Sequence, residues 1–172
     1  MKQAVIIVSQ GFEDSEFIYP YYRLQEEGFK VDISSKNKGE LLGKNGFPIK
    51  VEIEAKDLNE KNYDLVVIPG GYESPDRVRQ IEEVLRFIRE MNDKGKIISS
   101  VCHGPWVLIS AGIMKGKKAT CYKGCKDDLI NCGANYLDED VVVDGNIITS
   151  PHFRNLAEWM KETITQYNNY NK

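Results

Sequence analysis

Cys102 and His103 are the residues best placed to do chemistry, and the stretch around them, KIISSVCHGPWVLISAG (96–112), says why. Ile97, Ile98 and Val101 form a short apolar run between Gly95 and Gly104-Pro105, the pattern of a buried strand. Pro105 suits the first position of a helix, where no N–H is needed, and Trp106 to Ile109 continue it. Cys102 therefore stands on the corner between strand and helix, with the small Ser100 two positions before it. Unpaired N–H groups at a helix start favour anions, so a thiol there is expected to ionise readily and act as a nucleophile. The other reading of a lone cysteine is a buried, inert one.

Covalent catalysis also needs an acid and donors for a developing oxyanion. Candidates follow two other apolar runs. Ala4 to Val8 leads to a polar loop with Glu13, Asp14 and Glu16, and Leu65 to Ile68 leads to Pro69-Gly70-Gly71. In an open parallel sheet, loops beyond the carboxyl ends of the strands gather around the ligand, so these two loops and the Cys102 corner should meet at one edge. Each alone has a plain structural explanation; together they supply a nucleophile, an acid and free backbone N–H groups.

The elements that must position them alternate. After the first strand, Glu16 onward reads as a helix with Phe17, Tyr21 and Leu24 on one face, bent or delayed by Pro20 and ended by Gly28. Val31–Ser34 is a second strand, and the glycines and alternation from Gly39 to Ile53 suggest short strands or an edge hairpin. Pro75 opens a helical turn, and Ile81 to Met91 has amphipathic helical spacing. Beyond the corner helix, Lys118–Cys121 reads as a short strand and Lys126–Cys132 as a helix with Asp127 and Asp128 in its first turn. Val141–Val143 and Asn146–Ile148 flank Asp144-Gly145, a hairpin with a two-residue turn. Ala157–Tyr167 reads as a terminal helix, followed by a polar, frayed tail from Asn168 to Lys172. This alternation predicts an α/β fold with a parallel sheet covered on both faces, and one domain over 1–172.

Composition narrows the function classes. The 172 residues are 41% hydrophobic and 28% charged with a net charge of -3, so there is no global attraction to nucleic acid or anionic lipid. No apolar run reaches membrane-spanning length, and Met1-Lys2-Gln3 leads into a strand rather than a signal peptide. Cys121, Cys125 and Cys132 follow Cys102 without paired C-x-x-C spacing. A cytoplasmic protein with reduced thiols is expected, needing no metal or cofactor and having no nucleic-acid or membrane partner.

Five segments together resemble the DJ-1/PfpI superfamily, most closely its PfpI-like branch of intracellular cysteine peptidases and deglycases. They are FEDSEFIYP (12–20), VVIPGGYESPDRVR (66–79), CHGPWVLISAG (102–112), KDDLINCGANY (126–136) and EDVVVDGNIITS (139–150), in the family's order along nearly the whole chain. The resemblance implies a flavodoxin-like three-layer sandwich with a mostly parallel central sheet, of the class I glutamine amidotransferase type, assembled as a homodimer or higher homo-oligomer. By position it makes Cys102 the reactive cysteine, Glu16 the carboxyl contacting its sulfur, and His103 the histidine of peptidase-like members. The backbone N–H groups of Gly71 and His103 become the oxyanion donors. Glu13, Gly70 and Tyr122 are expected to border the pocket.

Two departures carry consequences. Peptidase-like relatives complete a Cys-His-acid triad with a glutamate from a neighbouring subunit in P-E-R-V-R; here it reads Pro75-Asp76-Arg77-Val78-Arg79, an acid one methylene shorter. Where relatives have S-R-x-P, this chain has Ser150-Pro151-His152-Phe153, which removes a permanently charged planar donor and offers His152 and Phe153 as pocket walls. The chemistry implied is attack of Cys102 on the carbonyl of a small compound or a peptide, giving glyoxalase- or deglycase-type or peptidase-type activity linked to stress protection. The alternative is a non-catalytic stress protein that senses oxidants through Cys102.

Overall fold

The computed structural model describes residues 2–170. The first half of the chain comprises β1 (Lys2–Ile7), α1 (Asp14–Glu26), β2 (Phe29–Ser35), β3 (Gly39–Leu42), β4 (Pro48–Val51), β5 (Ile53–Glu54) and β6 (Leu65–Ile68). Then come α2 (Ser74–Val78), α3 (Glu82–Asp93), β7 (Ile97–Val101), α4 (Pro105–Ala111), β8 (Lys118–Ala119) and α5 (Lys126–Asn131). β9 (Asn135–Tyr136), β10 (Val142–Asp144), β11 (Ile147–Ser150) and α6 (Leu156–Tyr170) complete the order.

Seven strands form the central sheet in the order β10-β11-β7-β6-β1-β2-β5, all parallel to their neighbours except β10 against β11. Alternate residues of the buried strands feed two cores. Val5, Ile7, Val66, Ile68 and Ile98 face α3 and α4, whereas Ala4, Ile6, Leu65, Val67 and Ile97 face α1 and α6. Each fully buried Val, Ile or Leu contributes about 1.5–3 kcal/mol, which is why such unbroken apolar runs fold as strands covered on both faces. The result is the expected three-layer, flavodoxin-like sandwich.

Chain order reverses at β1, which lies between β2 on one side and β6 on the other. The connections after β1 and β6 leave in opposite directions there, opening a crevice beyond their carboxyl ends. β7, next to β6, brings the Cys102 corner to the same edge.

Several boundaries differ from the sequence reading. Helix α1 begins at Asp14, so Glu16 lies in its first turn, and it runs unbroken through Pro20. Pro20 cannot donate to the Glu16 carbonyl, but Phe17 and Leu24 are buried on the sheet on either side of it and hold the helix together. The last hairpin turns on Gly145-Asn146 rather than Asp144-Gly145, because Asp144 pairs with Ile147 as a strand residue. Gly145 has φ +61°, the sign a primed turn needs at its first central position, and Asn146 is fixed by donating from Nδ2 to the Lys96 carbonyl. Helix α6 extends to Tyr170, so Asn168 to Tyr170 are helical rather than frayed; residues 171–172 lie outside the described residues. β3 and β4 pair with each other as a separate antiparallel ribbon, not as an edge of the main sheet. No helix among the described residues is long and apolar enough to cross a membrane.

Candidate active site

Strand β7 delivers Cys102 to the sheet edge, and the backbone turns there with φ +61°, the only positive φ of a non-glycine among the described residues. Such a conformation costs about 1–3 kcal/mol and persists only where its surroundings dictate it. Here they do. Cys102 N–H donates to Ser150 O at 2.9 Å, Cys102 O accepts from Tyr122 N at 2.9 Å, and Gly104 N–H closes the turn on Val101 O at 2.8 Å. A side chain at Gly104 would place its Cβ 2.3 Å from Ile68 O and 2.4 Å from Ser100 Oγ, so the corner admits no other residue there without displacement. Ser100 donates to that same Ile68 carbonyl at 3.2 Å.

The three loops meet as expected. Glu16 is fully buried, and its Oε2 accepts from Gly70 N–H at 2.7 Å. Gly70 O accepts from Glu13 N–H at 3.1 Å, and Phe12 bridges Gly71. Gly70 is the point of closest approach: a Cβ there would lie 2.6 Å from Glu16 Oε2, 2.8 Å from Cys102 Cβ and 3.0 Å from His103 N. Its missing side chain is what lets carboxyl and cysteine share the space. His103 Nδ1 lies 3.3 Å from Cys102 Sγ, and the His103 backbone N–H is also directed at that sulfur.

Electrostatics alters one expectation. The thiol is not held low by the helix start; it is pushed well above its usual value, first by burial and then by the charge of Glu16. Only 7% of Cys102 is exposed, and α4 is just seven residues long, so desolvation outweighs the dipole. Glu16 is raised to about 7, chiefly by burial and further by Glu13, against the stabilising Gly70 N–H. The pair therefore keeps its protons more firmly than either group would alone. His103 is pushed down by burial and by the Lys44 charge, so its ring is neutral at neutral pH and able to accept a proton from sulfur.

A cleft of about 190 Å³ opens over Cys102, with Glu13, Lys44, Gly71, Tyr72, His103, Tyr122, His152 and Phe153 as its other walls. The expected pocket residues Glu13, Tyr122 and His152 are thus assembled, with Gly70 just beneath them. Tyr122 stacks on His103 at 4.6 Å between ring centroids and faces His152 at 6.0 Å. Trp106 is half-buried, meets the His103 ring edge-on and donates from Nε1 to Asp128. Asp76 stands apart: it is exposed on α2, and no contact with His103 forms within the chain among the described residues.

Lys44 was not foreseen. It lies in the turn between β3 and β4, where Gly43-Lys44-Asn45-Gly46 reads as an ordinary exposed turn, yet its ammonium pairs with Glu13 beside the sulfur. Asp14 holds that turn in place. Its carboxylate accepts from Asn45 N and Phe47 N, both at 2.9 Å, and from Asn45 Nδ2 at 3.2 Å. Asp14 thus serves the loop rather than the thiol.

The remaining cysteines are free, and burial pushes Cys121 and Cys125 up to about 12, consistent with inert thiols.

Similar chains share this arrangement of elements. Deglycase PfpI of Pyrococcus furiosus is 46% identical over 160 residues, covering 93% of this chain and 96% of its own. YraA of Bacillus subtilis, which carries a provisional cysteine protease name, is 35% identical over 164 residues, covering 95% and 96%. Among solved structures, a two-domain protein of Anabaena variabilis with DJ-1/ThiJ/PfpI-like and ferritin-like domains superposes with a TM-score of 0.95 at 36% identity, over 98% of this chain and 48% of that one. The DJ-1/PfpI family model matches residues 2–166, nearly every element from β1 through α6. With the sandwich, the strained cysteine corner and that match in agreement, the chain belongs to the DJ-1/PfpI family.

Proposed function

We propose that this protein is a cysteine-dependent hydrolase of the deglycase or glyoxalase type, in which Cys102 adds to the carbonyl carbon of a small substrate. One observation carries the reading: Glu16, Gly70 and Cys102 are packed together at a corner whose backbone is held at positive φ by its hydrogen bonds to Ser150 and Tyr122. The relatives' deglycase names support the same chemistry.

The resting thiol is protonated, so attack requires its proton to leave as the S–C bond forms. His103 Nδ1, neutral and 3.3 Å away, is the acceptor. Negative charge then develops on the former carbonyl oxygen, and the N–H groups of Gly71 and His103 are the donors for it. Glu16, raised to about 7, is half protonated near neutral pH and serves as the group that gives or takes a proton at the bound carbon or oxygen.

Addition to an aldehyde expels no leaving group. Peptide cleavage requires protonation of an amine and hence a supported imidazolium, and among the described residues no acid of the same chain pairs with His103. The carbonyl reading is therefore favoured over proteolysis by this chain alone. Peptidase activity requires Asp76 of a second copy to reach His103, which assembly into a homodimer or larger ring would permit. Redox sensing is less favoured, since a buried thiol with a raised pKa is a poor target for oxidants.

The test is turnover of methylglyoxal by wild type, Cys102→Ser and Glu16→Gln, alongside a fluorogenic peptide and a peroxide titration. Loss of at least about 100-fold in kcat/KM in both variants is expected, with peptide cleavage weak. Wild-type turnover by Cys102→Ser would remove the nucleophile. Stoichiometric oxidation without turnover would favour the sensor.

A further inference from the structure

Glu16 is short of direct support. Its Oε2 accepts from Gly70 N–H, but its Oε1 is buried with no hydrogen-bond partner among the described residues. A buried carboxyl held by one donor takes its charge state from the fields of groups further off, which act strongly where water is excluded. Those groups are Glu13 in the loop before α1, Lys44 in the ribbon turn, Cys102 and His103 at the corner, and His152 beyond β11, itself influenced by Arg154. Asp14 is turned to the ribbon instead, where Asn45 and Phe47 occupy its carboxylate. Burial pushes both imidazoles towards their neutral forms, which leaves Glu13 and Lys44 as the fixed charges around Glu16.

These two charges are held in a set order. The side chains of Glu13 and Lys44 are only 9% and 32% exposed; the ammonium pairs with Glu13 Oε2, while Ser15 Oγ donates to Oε1 at 3.1 Å. The turn that carries Lys44 is stitched to the loop that carries Glu13. Lys44 N–H donates to Phe12 O at 2.8 Å, and Gly11 N–H donates to Leu42 O at 2.9 Å. Gly43 packs so closely that a Cβ there would lie 2.6 Å from the Asp14 carboxylate. An ion pair this buried adds little stability over an apolar pair of similar size, so its influence lies in its field. Glu13 opposes a charge on Glu16, and Lys44 favours one.

We propose that Lys44 and Glu13 are positioning residues for the reaction at Cys102: locked as an ion pair, they act through Glu16, because Lys44 cancels most of the repulsion that Glu13 alone would exert on it. This rests on the reading of Cys102 and Glu16 as nucleophile and proton carrier, and adds the groups that keep the carrier able to give and take a proton. Without the Lys44 charge, Glu16 keeps its proton to higher pH. Without the Glu13 charge, it releases the proton at lower pH. With both removed, the two shifts oppose each other and largely cancel.

NMR of the glutamate carboxyl carbons in the isotope-labelled full chain reads these shifts without turnover, the Glu16 signal being the one lost in Glu16→Gln. Lys44→Met is expected to move the Glu16 titration up from about 7 by about one pH unit. Glu13→Gln, which keeps an acceptor for Ser15, is expected to move it down by about as much. The double variant should return to within about half a pH unit of wild type, and Lys44→Arg, which keeps the charge, should stay there too. Lys94→Met removes an exposed charge just before β7, at the opposite edge of the sheet, and should leave the titration unmoved. The limb of the kcat/KM profile for methylglyoxal that belongs to Glu16 should follow each shift. A Glu16 titration that stays in place in both single variants overturns the proposal. So does a double variant displaced as far as Lys44→Met, or a Lys44→Arg displaced equally, since position rather than charge would then be at work. Unmoved titrations with intact methylglyoxal turnover by wild type reject this proposal alone. Shifted titrations in a chain whose wild type turns over no methylglyoxal reject the catalytic reading alone.

Discussion

At the scale of single residues, the site depends on an atom that is absent. Gly70 has no Cβ, and any Cβ there would press on Glu16, Cys102 and His103 together. Gly70→Ala is expected to cost about 1–3 kcal/mol of stability by overpacking and at least about 100-fold in kcat/KM, since displacements near 1 Å at a reacting centre have that effect. Thermal unfolding and steady-state kinetics on the same preparation check both. Glu16 gives a sharper test through pH. Below about 4.5 its carboxyl is protonated in folded and unfolded chains alike; between there and about 7 only the unfolded chain releases the proton. Stability contributed by the protonated form is therefore lost as pH rises through that window, by on the order of 3 kcal/mol, and is level above it. Glu16→Gln should remove this slope, so its stability relative to wild type should rise between about pH 5 and about pH 8 in denaturant titrations.

At the scale of elements, the ribbon of β3 and β4 does more than its length suggests. It is separate from the main sheet, yet its turn places Lys44 beside Glu13, and Asp14 in the first turn of α1 clamps that turn through three hydrogen bonds. Asp14→Ala leaves two backbone N–H groups without their carboxylate and should cost about 1–3 kcal/mol. Faster hydrogen exchange at Asn45 and Phe47, with the amides of β6 unchanged, would locate the loss in the ribbon. Patterns along the chain revealed strands, helices and even the Cys102 corner, because these are local and periodic. They did not reveal the ribbon's task, since a lysine in a Gly-Lys-Asn-Gly turn looks like any solvated turn. Pro20 misled for the opposite reason: its local penalty is real, but Phe17 and Leu24 packing overrides it. The shifted turn at Gly145-Asn146 likewise follows from side-chain anchors outside the hairpin, including Asp144 accepting from Lys118 N.

At the scale of the whole molecule, the expectation to test is assembly. Asp76 is exposed on α2, so a part for it in a triad is proposed only from a second copy. Sedimentation is expected to show a dimer or larger species, and Asp76→Asn is expected to reduce peptide cleavage more than carbonyl turnover. A strictly monomeric protein that cleaves peptides at the wild-type rate without Asp76 would remove the acid from the site.

Residue order alone determined the layered sandwich, the strand-to-helix corner at Cys102 and the identity of the loops that converge on it. Those follow from apolar periodicity and from the steric demands of Gly and Pro, which act over a few residues. Only the folded chain decided the state of the sulfur. Whether a thiol at a helix start ionises depends on how much water reaches it and on which carboxyl faces it. Both are fixed by packing between segments far apart in the chain, and here burial and Glu16 outweigh the helix.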